Sequence, residues 1–233
     1  MAQIICKDVS LGYDGVTVSR QVSFEVCAGD YLCIVGDNGS GKTTLMKALL
    51  GLKAPESGEI LLGDGLGRGD VGYLPQKNEM QKDFPATVRE VVLSGCTGHG
   101  AFRLFVGRKW REVANRRMKQ MGVESLADRP FGQLSGGQQK KVLLARTLCA
   151  AEKVLLLDEP TTALDPGATE ELYSHLARLN REEGVTVLMI THDLPAVMRY
   201  ATKVLHMSDR PTLYDSARAY GASGDFPKGE VAE

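Results

Sequence analysis

A glycine-rich segment between a short apolar run and a helical pattern places the tightest limit on how this chain can fold. Residues 36–43 read Gly-Asp-Asn-Gly-Ser-Gly-Lys-Thr and fit the pattern G-x-x-x-x-G-K-[ST]. The apolar run Leu32–Val35 precedes the segment, and the helical run Thr44–Leu50 follows it. Glycines allow successive main-chain N–H groups to turn inward around phosphate oxygens, and a helix N-terminus adds favourable partial charge. The sequence therefore predicts a phosphate-binding loop between a buried strand and a helix.

The loop supplies candidate ligands for phosphate and for a cation. Lys42 would neutralise two adjacent phosphate groups, and the Thr43 hydroxyl would bind Mg²⁺. The candidate nucleotide-binding residues here are Gly36, Asp37, Asn38, Gly39, Ser40, Gly41, Lys42, Thr43 and Thr44. The alternative is a flexible glycine-rich turn that binds nothing.

Two carboxylates follow a strand that is apolar throughout. Val154–Leu157 leads directly into Asp158 and Glu159. Because burying a charge is costly, carboxylates at the end of a buried strand need a partner. Beside a phosphate loop, Asp158 would hold Mg²⁺, and Glu159 would polarise an attacking water. The alternative is a turn in which Pro160 ends the strand and Asp158 caps a local group.

The segment Leu-Ser-Gly-Gly-Gln at 134–138 predicts the start of another helix. Ser135 and Gln138 form an S-x-x-Q capping pair ahead of apolar residues at helical spacing. Gly136 and Gly137 remove side chains from the first turn, so that its amides can approach an anion closely. Each glycine costs a helix about 1 kcal/mol, which favours a second anion site over a purely structural, well-capped helix.

Composition and charge exclude several classes of protein. Apolar residues make up 43% of the 233 residues, and 28 basic against 29 acidic residues leave a net charge of −1. This balance argues against a protein built on wholesale neutralisation of nucleic-acid phosphates. A membrane span needs about 20 consecutive apolar residues, and the most apolar runs, Val154–Leu157 and Val185–Ile190, are far shorter. With no secretory signal and five scattered cysteines, we expect a cytosolic chain in a reducing compartment.

The chain changes pattern along its length. Short β-type runs fill roughly the first 80 residues, residues 84–134 are helical in pattern, and helices alternate with buried strands from residue 142 onward. Runs that are apolar on both faces predict a parallel sheet covered by helices. The chain after Ser208 is predicted to be a tail.

The helical stretch carries its own start signal and apolar face. Thr87 and Glu90 predict a capping box that opens a helix through Leu93. Five residues fall on one helix face and are predicted to pack in the core: Trp110, Val113, Ala114, Met118 and Met121.

Together and in this order, the three motifs resemble those of the ATP-binding cassette (ABC) ATPase family. Gly36–Thr43 matches its Walker A loop, 134–138 its LSGGQ signature, and 155–159 its Leu-Leu-Leu-Asp-Glu segment. The resemblance implies an α/β fold: a P-loop NTPase core with a mainly parallel sheet, an antiparallel β-subdomain and an inserted α-helical subdomain. The implied boundaries are 1–83 and 135–207 for the core, 84–134 for the helical subdomain and 208–233 for a C-terminal tail.

The resemblance also implies ATP and Mg²⁺ as cofactors and a role for each matching residue. Tyr13 would stack on adenine, and Asp165 would lie in a loop that crosses a dimer interface while capping the helix that begins at Pro166. His192 would contact the γ-phosphate and the attacking water, and Gln76 would sense Mg²⁺ and the same water. The implied catalytic residues are Glu159, His192 and Gln76, the implied Mg²⁺ ligands are Thr43, Gln76 and Asp158, and the further nucleotide contacts are Ser135, Gly136, Gly137 and Gln138.

Partners follow from the same resemblance. The helix end at 135–138 cannot easily fold back onto its own nucleotide, so each site would be completed in a two-fold nucleotide-sandwich dimer with a second copy. Transmembrane permease subunits would hold this dimer peripherally on the cytosolic face of the membrane, with a solute-binding protein as an indirect partner and no nucleic acid. Residues 84–95 look like those of metal-ion importer ATPases (zinc or manganese) and their iron-chelate relatives. The implied function is a Mg²⁺-dependent ATPase subunit that energises uptake of a metal ion or metal chelate, although 161–165 departs from the zinc group.

Three alternatives stay open. One is a soluble ABC-type ATPase that acts as an ATP-dependent dimerising scaffold or regulator. The segment 103–119 holds seven basic residues and one acidic residue, and forms either a solvated helix face or a contact for lipid headgroups or nucleic acid. Cys96 and His99 have no further ligands nearby, which makes them a poor metal site.

Overall fold

The computed structural model describes residues 1–13, 16–76, 85–96, 107–151 and 153–227. Within them the strands are β1 (Ala2–Tyr13), β2 (Val16–Cys27), β3 (Tyr31–Gly36), β4 (Ser57–Leu62), β5 (Val71–Leu74), β6 (Val154–Asp158), β7 (Thr186–Ile190), β8 (Lys203–Met207) and β9 (Thr212–Tyr214). The helices are α1 (Lys42–Leu49), α2 (Val88–Ser94), α3 (Arg108–Gln120), α4 (Gly136–Ala150), α5 (Pro166–Glu183), α6 (Leu194–Tyr200) and α7 (Ala217–Gly221).

The larger sheet holds six of these strands in the order β5-β6-β7-β3-β8-β9. The first five are parallel, and β9 pairs antiparallel with β8 at the edge. Every residue of β6 and β7 is buried, as expected for strands with helices on both faces. Because parallel strands end at the same edge of a sheet, the residues that follow β3, β6 and β7 come together there.

The smaller sheet is antiparallel, with the order β2-β1-β4. Alternate residues of β1, such as Ile4 and Cys6, are buried, as the period of two in a strand requires. They form one apolar cluster with Leu45 and Met46 of α1. This sheet is the expected antiparallel β-subdomain, and the α/β fold class is confirmed.

Helices α2 and α3, which lie between β5 and β6 in the chain, pack on α4. At the start of α2, the Thr87 hydroxyl accepts from the Glu90 N–H at 3.3 Å, and the Glu90 carboxylate accepts from the Thr87 N–H at 2.8 Å, which completes the expected capping box. Of the five residues predicted to share a face, three are buried (Ala114, Met118 and Met121) and two are half-buried (Trp110 and Val113).

One basic residue of α3 does not lie on the solvent side. Arg117 is 5% exposed, and its Nη1 donates to Glu183 Oε2 of α5 at 3.0 Å. A solvated face is therefore wrong at this position, since a carboxylate from another helix offsets the cost of burying the guanidinium. Residues 103–106 of the same basic segment lie outside the described residues.

The C-terminal part contradicts the predicted tail. β9 extends the larger sheet, and α7 begins at Ser216, whose hydroxyl accepts from the Ala219 N–H at 3.1 Å. Tyr220 is 1% exposed, and its ring lies 5.3 Å from those of Tyr214 and Phe226. Packing of the half-buried Tyr214 and Phe226 against the buried Tyr220 explains why this region is ordered, and the polar and proline-containing sequence around these rings gave no sign of that packing. The other domain boundaries stay predictions.

Two further observations concern the cysteines and the apolar character of the helices. In the described part of the chain no disulfide forms, and Cys6, Cys33, Cys96 and Cys149 are buried, whereas His99 lies outside that part. Of the helices just given, none has the length and apolar character that crossing a bilayer requires.

Candidate active site

The glycine-rich loop joins the end of β3 to the start of α1. Gly41 is the N-cap of α1, with a φ of 94° and no side-chain cap. Gly36 has a φ of 133°, and a Cβ at this position would lie 2.2 Å from the main-chain oxygen of Met207 in β8. No residue with a side chain fits there. The main chain of the loop therefore leaves the first N–H groups of α1 uncovered.

Lys42 and Ser40 give this loop its character as an anion site. Lys42 Nζ donates to the main-chain oxygens of Gly36 and Asp37, both at 2.7 Å. Burial lowers the pKa of Lys42, and three nearby carboxylates oppose that shift. Ser40 Oγ is buried and has no hydrogen-bond partner among the described residues. Because buried polar groups are normally hydrogen-bonded, this hydroxyl fits a loop in which a bound ligand supplies the partner. We call the adjoining space the phosphate cleft; it measures about 380 Å³ and is lined by Val18, Asn38, Gly39, Gly41, Lys42, Thr43, Thr44, Gln76 and Glu159.

A hydroxyl and a carboxylate meet beside the phosphate cleft. Thr43 Oγ1 donates to Asp158 Oδ2 at 3.2 Å, and Asp158 is 3% exposed at the end of β6. Burial raises the pKa of Asp158, while the Thr43 hydroxyl and Lys42 oppose the shift. Burial and the neighbouring Asp158 also raise the pKa of Tyr73 to about 12.

These two oxygens form a small donor set for a hard cation. Mg²⁺ is bound through one or two protein oxygens together with water and phosphate, which fits Thr43 and Asp158. The described residues hold no cluster of three or more His, Cys, Asp or Glu side chains that could bind a metal. A cation at this point would therefore depend on the nucleotide phosphates for its remaining ligands.

Glu159 is the point at which the predicted catalytic residues meet. Its Oε2 accepts from Gln76 Nε2 at 2.5 Å and from Thr162 Oγ1 at 3.1 Å, and its Oε1 lies 3.0 Å from His192 Nε2. Glu159 has a φ of 45°, a left-handed conformation in which its N–H donates to the Ile190 oxygen of β7 at 3.1 Å. Such a conformation costs about 1–3 kcal/mol and persists where the surroundings over-determine it. The carboxylate is therefore aimed by contacts from three different segments.

The 135–138 segment caps its helix as expected. The Ser135 hydroxyl accepts from the Gln138 N–H at 3.3 Å, and the Gln138 Oε1 accepts from the Ser135 N–H at 3.1 Å. Both contacts together form the predicted capping box at the start of α4.

The two glycines of this segment differ in what surrounds them. A Cβ at Gly137 would lie 2.9 Å from the Ala168 Cβ of α5, so close packing of two helices explains this glycine. At Gly136 the nearest atom, from Leu164, would be 3.9 Å away, which leaves room for a side chain. Helix packing therefore does not require Gly136, and the prediction of an anion site applies to this position most directly.

The structure does not bring all predicted nucleotide contacts together within one chain. Residues 135–138 are absent from the lining of the phosphate cleft. Gly136 instead lines a separate space of about 320 Å³, which we call the signature groove; its lining is Gln76, Gly136, Gln139, Lys140, Leu143, Thr162, Ala163 and Leu164. Gln76 belongs to both linings and thus lies between them.

The interface role of Asp165 and the stacking role of Tyr13 stay predictions. Asp165 caps α5, since its Oδ1 accepts from the Ala168 N–H at 2.9 Å, and Pro166 takes the first helical position. The side chain of Tyr13 lies outside what the structure describes, so its stacking role stays a prediction.

Sequence reasoning missed two residues of this site. Thr162 stands three positions after Glu159, and its N–H donates to the Glu159 oxygen at 3.2 Å in a turn that returns its hydroxyl to the carboxylate. The run Pro-Thr-Thr after Glu159 carries that turn signal. Lys140 reaches the main chain at Gln76, and no motif in the sequence marks that contact.

Comparison with known proteins places this arrangement in a family. The sequence profile of the ABC transporter family matches residues 19–162. The zinc uptake system ATP-binding protein ZurA of Listeria monocytogenes is 36% identical over 219 residues, which cover 91% of this chain and 85% of ZurA. This chain belongs to the ABC transporter family. The resemblance inferred from the three motifs is thereby confirmed, and with it an ATP-binding, ATP-hydrolysing domain.

Further relatives of this ABC protein agree with that assignment. The high-affinity zinc uptake system ATP-binding protein ZnuC of Bacillus subtilis is 32% identical, and the match covers 89% of this chain and 91% of that protein. Among solved structures, one described as an inward-facing ABC transporter of the metal-chelate type superposes with a TM-score of 0.85 at 29% identity, covering 94% of this chain and 84% of that one. A dimeric ATP-binding cassette bound to ADP and Pi superposes with a TM-score of 0.75 at 27% identity, covering 90% and 97% of the two chains.

Proposed function

We propose that this chain is the Mg²⁺-dependent, ATP-hydrolysing subunit of a membrane transporter that takes up a metal ion or a metal chelate. The observation that carries the proposal is the convergence of Gln76, Thr162 and His192 on Glu159 beside the phosphate cleft. A structural turn has no need for three polar partners on one carboxylate in a left-handed residue.

Different residues in and around the phosphate cleft bind the nucleotide, hold the cation and accept the proton during hydrolysis. The N–H groups of the loop and the Lys42 ammonium bind the phosphates, with Tyr13 proposed to stack on the adenine. Thr43, Asp158 and Gln76 would hold Mg²⁺, which would supply charge neutralisation on the phosphate oxygens. Glu159 accepts a proton from the attacking water at its carboxylate, and His192 contacts the same water and the γ-phosphate.

The signature groove supports a dimer with a second copy of the chain. Residues 135–138 lie outside the lining of the phosphate cleft, so a first turn of α4 that contacts ATP would contact the nucleotide of another copy. Asp165, at the start of α5, would lie at that interface. A dimeric cassette among the related structures supports this arrangement.

The transported solute and the membrane partner are proposed from the relatives. ZurA and ZnuC are named for zinc uptake, and a related structure is described as of the metal-chelate type. We propose transmembrane permease subunits as partners, a solute-binding protein as an indirect partner, and a peripheral position on the cytosolic face of the membrane. These relatives favour transport over the scaffold or regulator that the sequence left open.

The Glu159→Gln variant tests the proposed chemistry. Loss of the proton acceptor should lower ATP turnover at least about 1,000-fold while nucleotide affinity stays within about twofold, and the variant should form a dimer with ATP. Turnover is measured by phosphate release, and the dimer by size-exclusion chromatography with light scattering. Glu170→Gln, at an exposed position of α5, is the matched control, and its ATP turnover should equal that of the wild-type chain. Normal turnover in Glu159→Gln would contradict the assignment of the base.

Transport is tested with the membrane partner. The chain co-expressed with a candidate permease from the same genome should co-purify with that permease, and vesicles containing both should accumulate Zn²⁺ or Mn²⁺ in an ATP-dependent way. ATP hydrolysis by a chain that neither binds a permease nor supports metal accumulation would favour the scaffold or regulator instead.

A further inference from the structure

Lys140 of α4 reaches across the signature groove to the segment that carries Gln76. Its Nζ donates to the main-chain oxygen of Gln76 at 3.2 Å. The Gln76 side chain in turn donates to Glu159 Oε2 at 2.5 Å. Through one residue, Gln76, the helix that begins at the signature is thus connected to the candidate general base.

The position of Lys140 explains why it makes this contact. Lys140 lies four residues after Gly136, so both residues fall on the same face of α4 and line the signature groove. The side chain is half-buried, and burial lowers the pKa of Lys140 while the Asp158 carboxylate opposes that shift. A partly desolvated ammonium needs a hydrogen-bond acceptor, and the Gln76 oxygen supplies one.

The next residue along the helix makes a different kind of contact. Lys141 Nζ pairs with Glu171 Oε1 of α5 at 2.8 Å, which joins two helices away from the phosphate cleft. Lys140 and Lys141 therefore have the same charge and neighbouring positions but different partners. This pair separates an effect on Gln76 from a general effect of losing a lysine from α4.

We propose that Lys140 is a positioning residue for ATP hydrolysis, which holds the main chain at Gln76 so that the Gln76 amide stays on Glu159. The inference rests on the proposed function of Glu159 and adds a route by which a shift of α4 changes the catalytic carboxylate. Because Lys140 does not line the phosphate cleft, its loss should change the rate of hydrolysis and leave nucleotide binding intact.

The test uses the purified full chain and steady-state ATP hydrolysis. Lys140→Met should lower kcat about tenfold with KM unchanged within about twofold, since misplacement of a positioning group affects the reacting geometry. Lys140→Arg should restore most of the rate because it keeps the charged donor, and Lys141→Met should stay within about twofold of the unchanged chain. In a Gln76→Ala background, Lys140→Met should cause no further loss, because the side chain that it positions is already gone.

Three results would overturn the inference. The first is a rate for Lys140→Met equal to that of Lys141→Met. The second is a full additional loss in the Gln76→Ala background, which would mean that Lys140 acts without Gln76. The third concerns the proposed function itself. That function fails if the wild-type chain does not hydrolyse ATP or if Glu159→Gln has normal turnover.

Discussion

Helices α1 and α4 both begin beside glycines, and their first turns are built differently. At α1 the N-cap is Gly41, which has no side chain to cover the N–H groups, and Lys42 adds a full positive charge. At α4 the Ser135 hydroxyl takes the Gln138 N–H, and the Gln138 side chain takes the Ser135 N–H. The first helix therefore keeps its donors open, whereas the second uses some of them internally.

This difference indicates two kinds of anion site. The start of α1 combines open N–H groups, a charged side chain and an enclosing cleft, so it can hold phosphate without help. The start of α4 offers mainly the partial charge of the helix and the room left at Gly136, and its nearest lysine is engaged with Gln76. We expect α4 to contribute to phosphate binding when another surface brings the nucleotide, as in the proposed dimer.

Gly136→Asp should have the largest effect of the changes that test this difference. A carboxylate would repel the phosphate that α4 approaches, so turnover should fall about 100-fold while ATP binding by the isolated chain stays unchanged. Phosphate release and titration with a fluorescent ATP analogue measure the two quantities. Gly69→Asp is the control, because a Cβ there meets no atom within 4 Å and the position lines neither the phosphate cleft nor the signature groove. Full activity in Gly136→Asp would mean that the start of α4 is not an anion site.

Lys42→Ala should instead weaken nucleotide binding itself. Loss of a charge-assisted contact to phosphate costs about 2 kcal/mol, or roughly 30-fold in affinity. The same titration measures this effect, and Lys47→Ala, an exposed lysine later in α1, provides the control. An affinity equal to that of the unchanged chain would mean that the two helix ends do not differ as described.

Ser135→Ala tests the cap that α1 lacks. Removal of this hydroxyl should lower the stability of the chain by about 1 kcal/mol and the Tm by roughly 3 °C, because the Gln138 N–H loses its acceptor. Differential scanning calorimetry without nucleotide gives the shift, with Ser125→Ala on an exposed turn as the comparison. An unchanged Tm would show that the capping box adds nothing to α4.

Asp158→Asn should produce the smallest effect, and it should be stabilising. Burial raises the pKa of this carboxyl, so the folded chain binds its proton more readily than the unfolded chain, and the ionised form is unfavourable at neutral pH. The variant should raise the Tm by roughly 2 °C at neutral pH, and this gain should disappear as the pH falls through the raised pKa of Asp158. Calorimetry across pH 4–8 measures it; a lower Tm at neutral pH would mean that contacts with Thr43 and Lys42 outweigh burial.

Local patterns were enough to predict much of this molecule. The loop at 36–43, the two capping boxes and the apolar runs of β6 and β7 are each encoded within a few consecutive residues. The carboxylates Asp158 and Glu159 were also found from their place after a buried strand. Each of these signals depends on neighbours in the sequence, and each was therefore visible without knowledge of the fold.

Other features depend on contacts between distant segments. The predicted tail was wrong because Tyr220 is buried by rings that the folded chain brings around it. Arg117 is buried because Glu183 lies 66 positions away in sequence but adjacent in space. Gly137 gave the signal of an anion site, yet the proximity of Ala168 explains it as well.

Sequence alone predicted the α/β class and the phosphate loop, because strand, turn and cap signals are local; the family resemblance pointed to Gln76 and His192, and Thr162 was missed. Folding established which of them touch: the parallel order of β6, β7 and β3 places Glu159 and His192 at one edge, and Lys140 reaches Gln76 across 64 positions. Such contacts follow from strand order and helix packing, which no short stretch of sequence specifies.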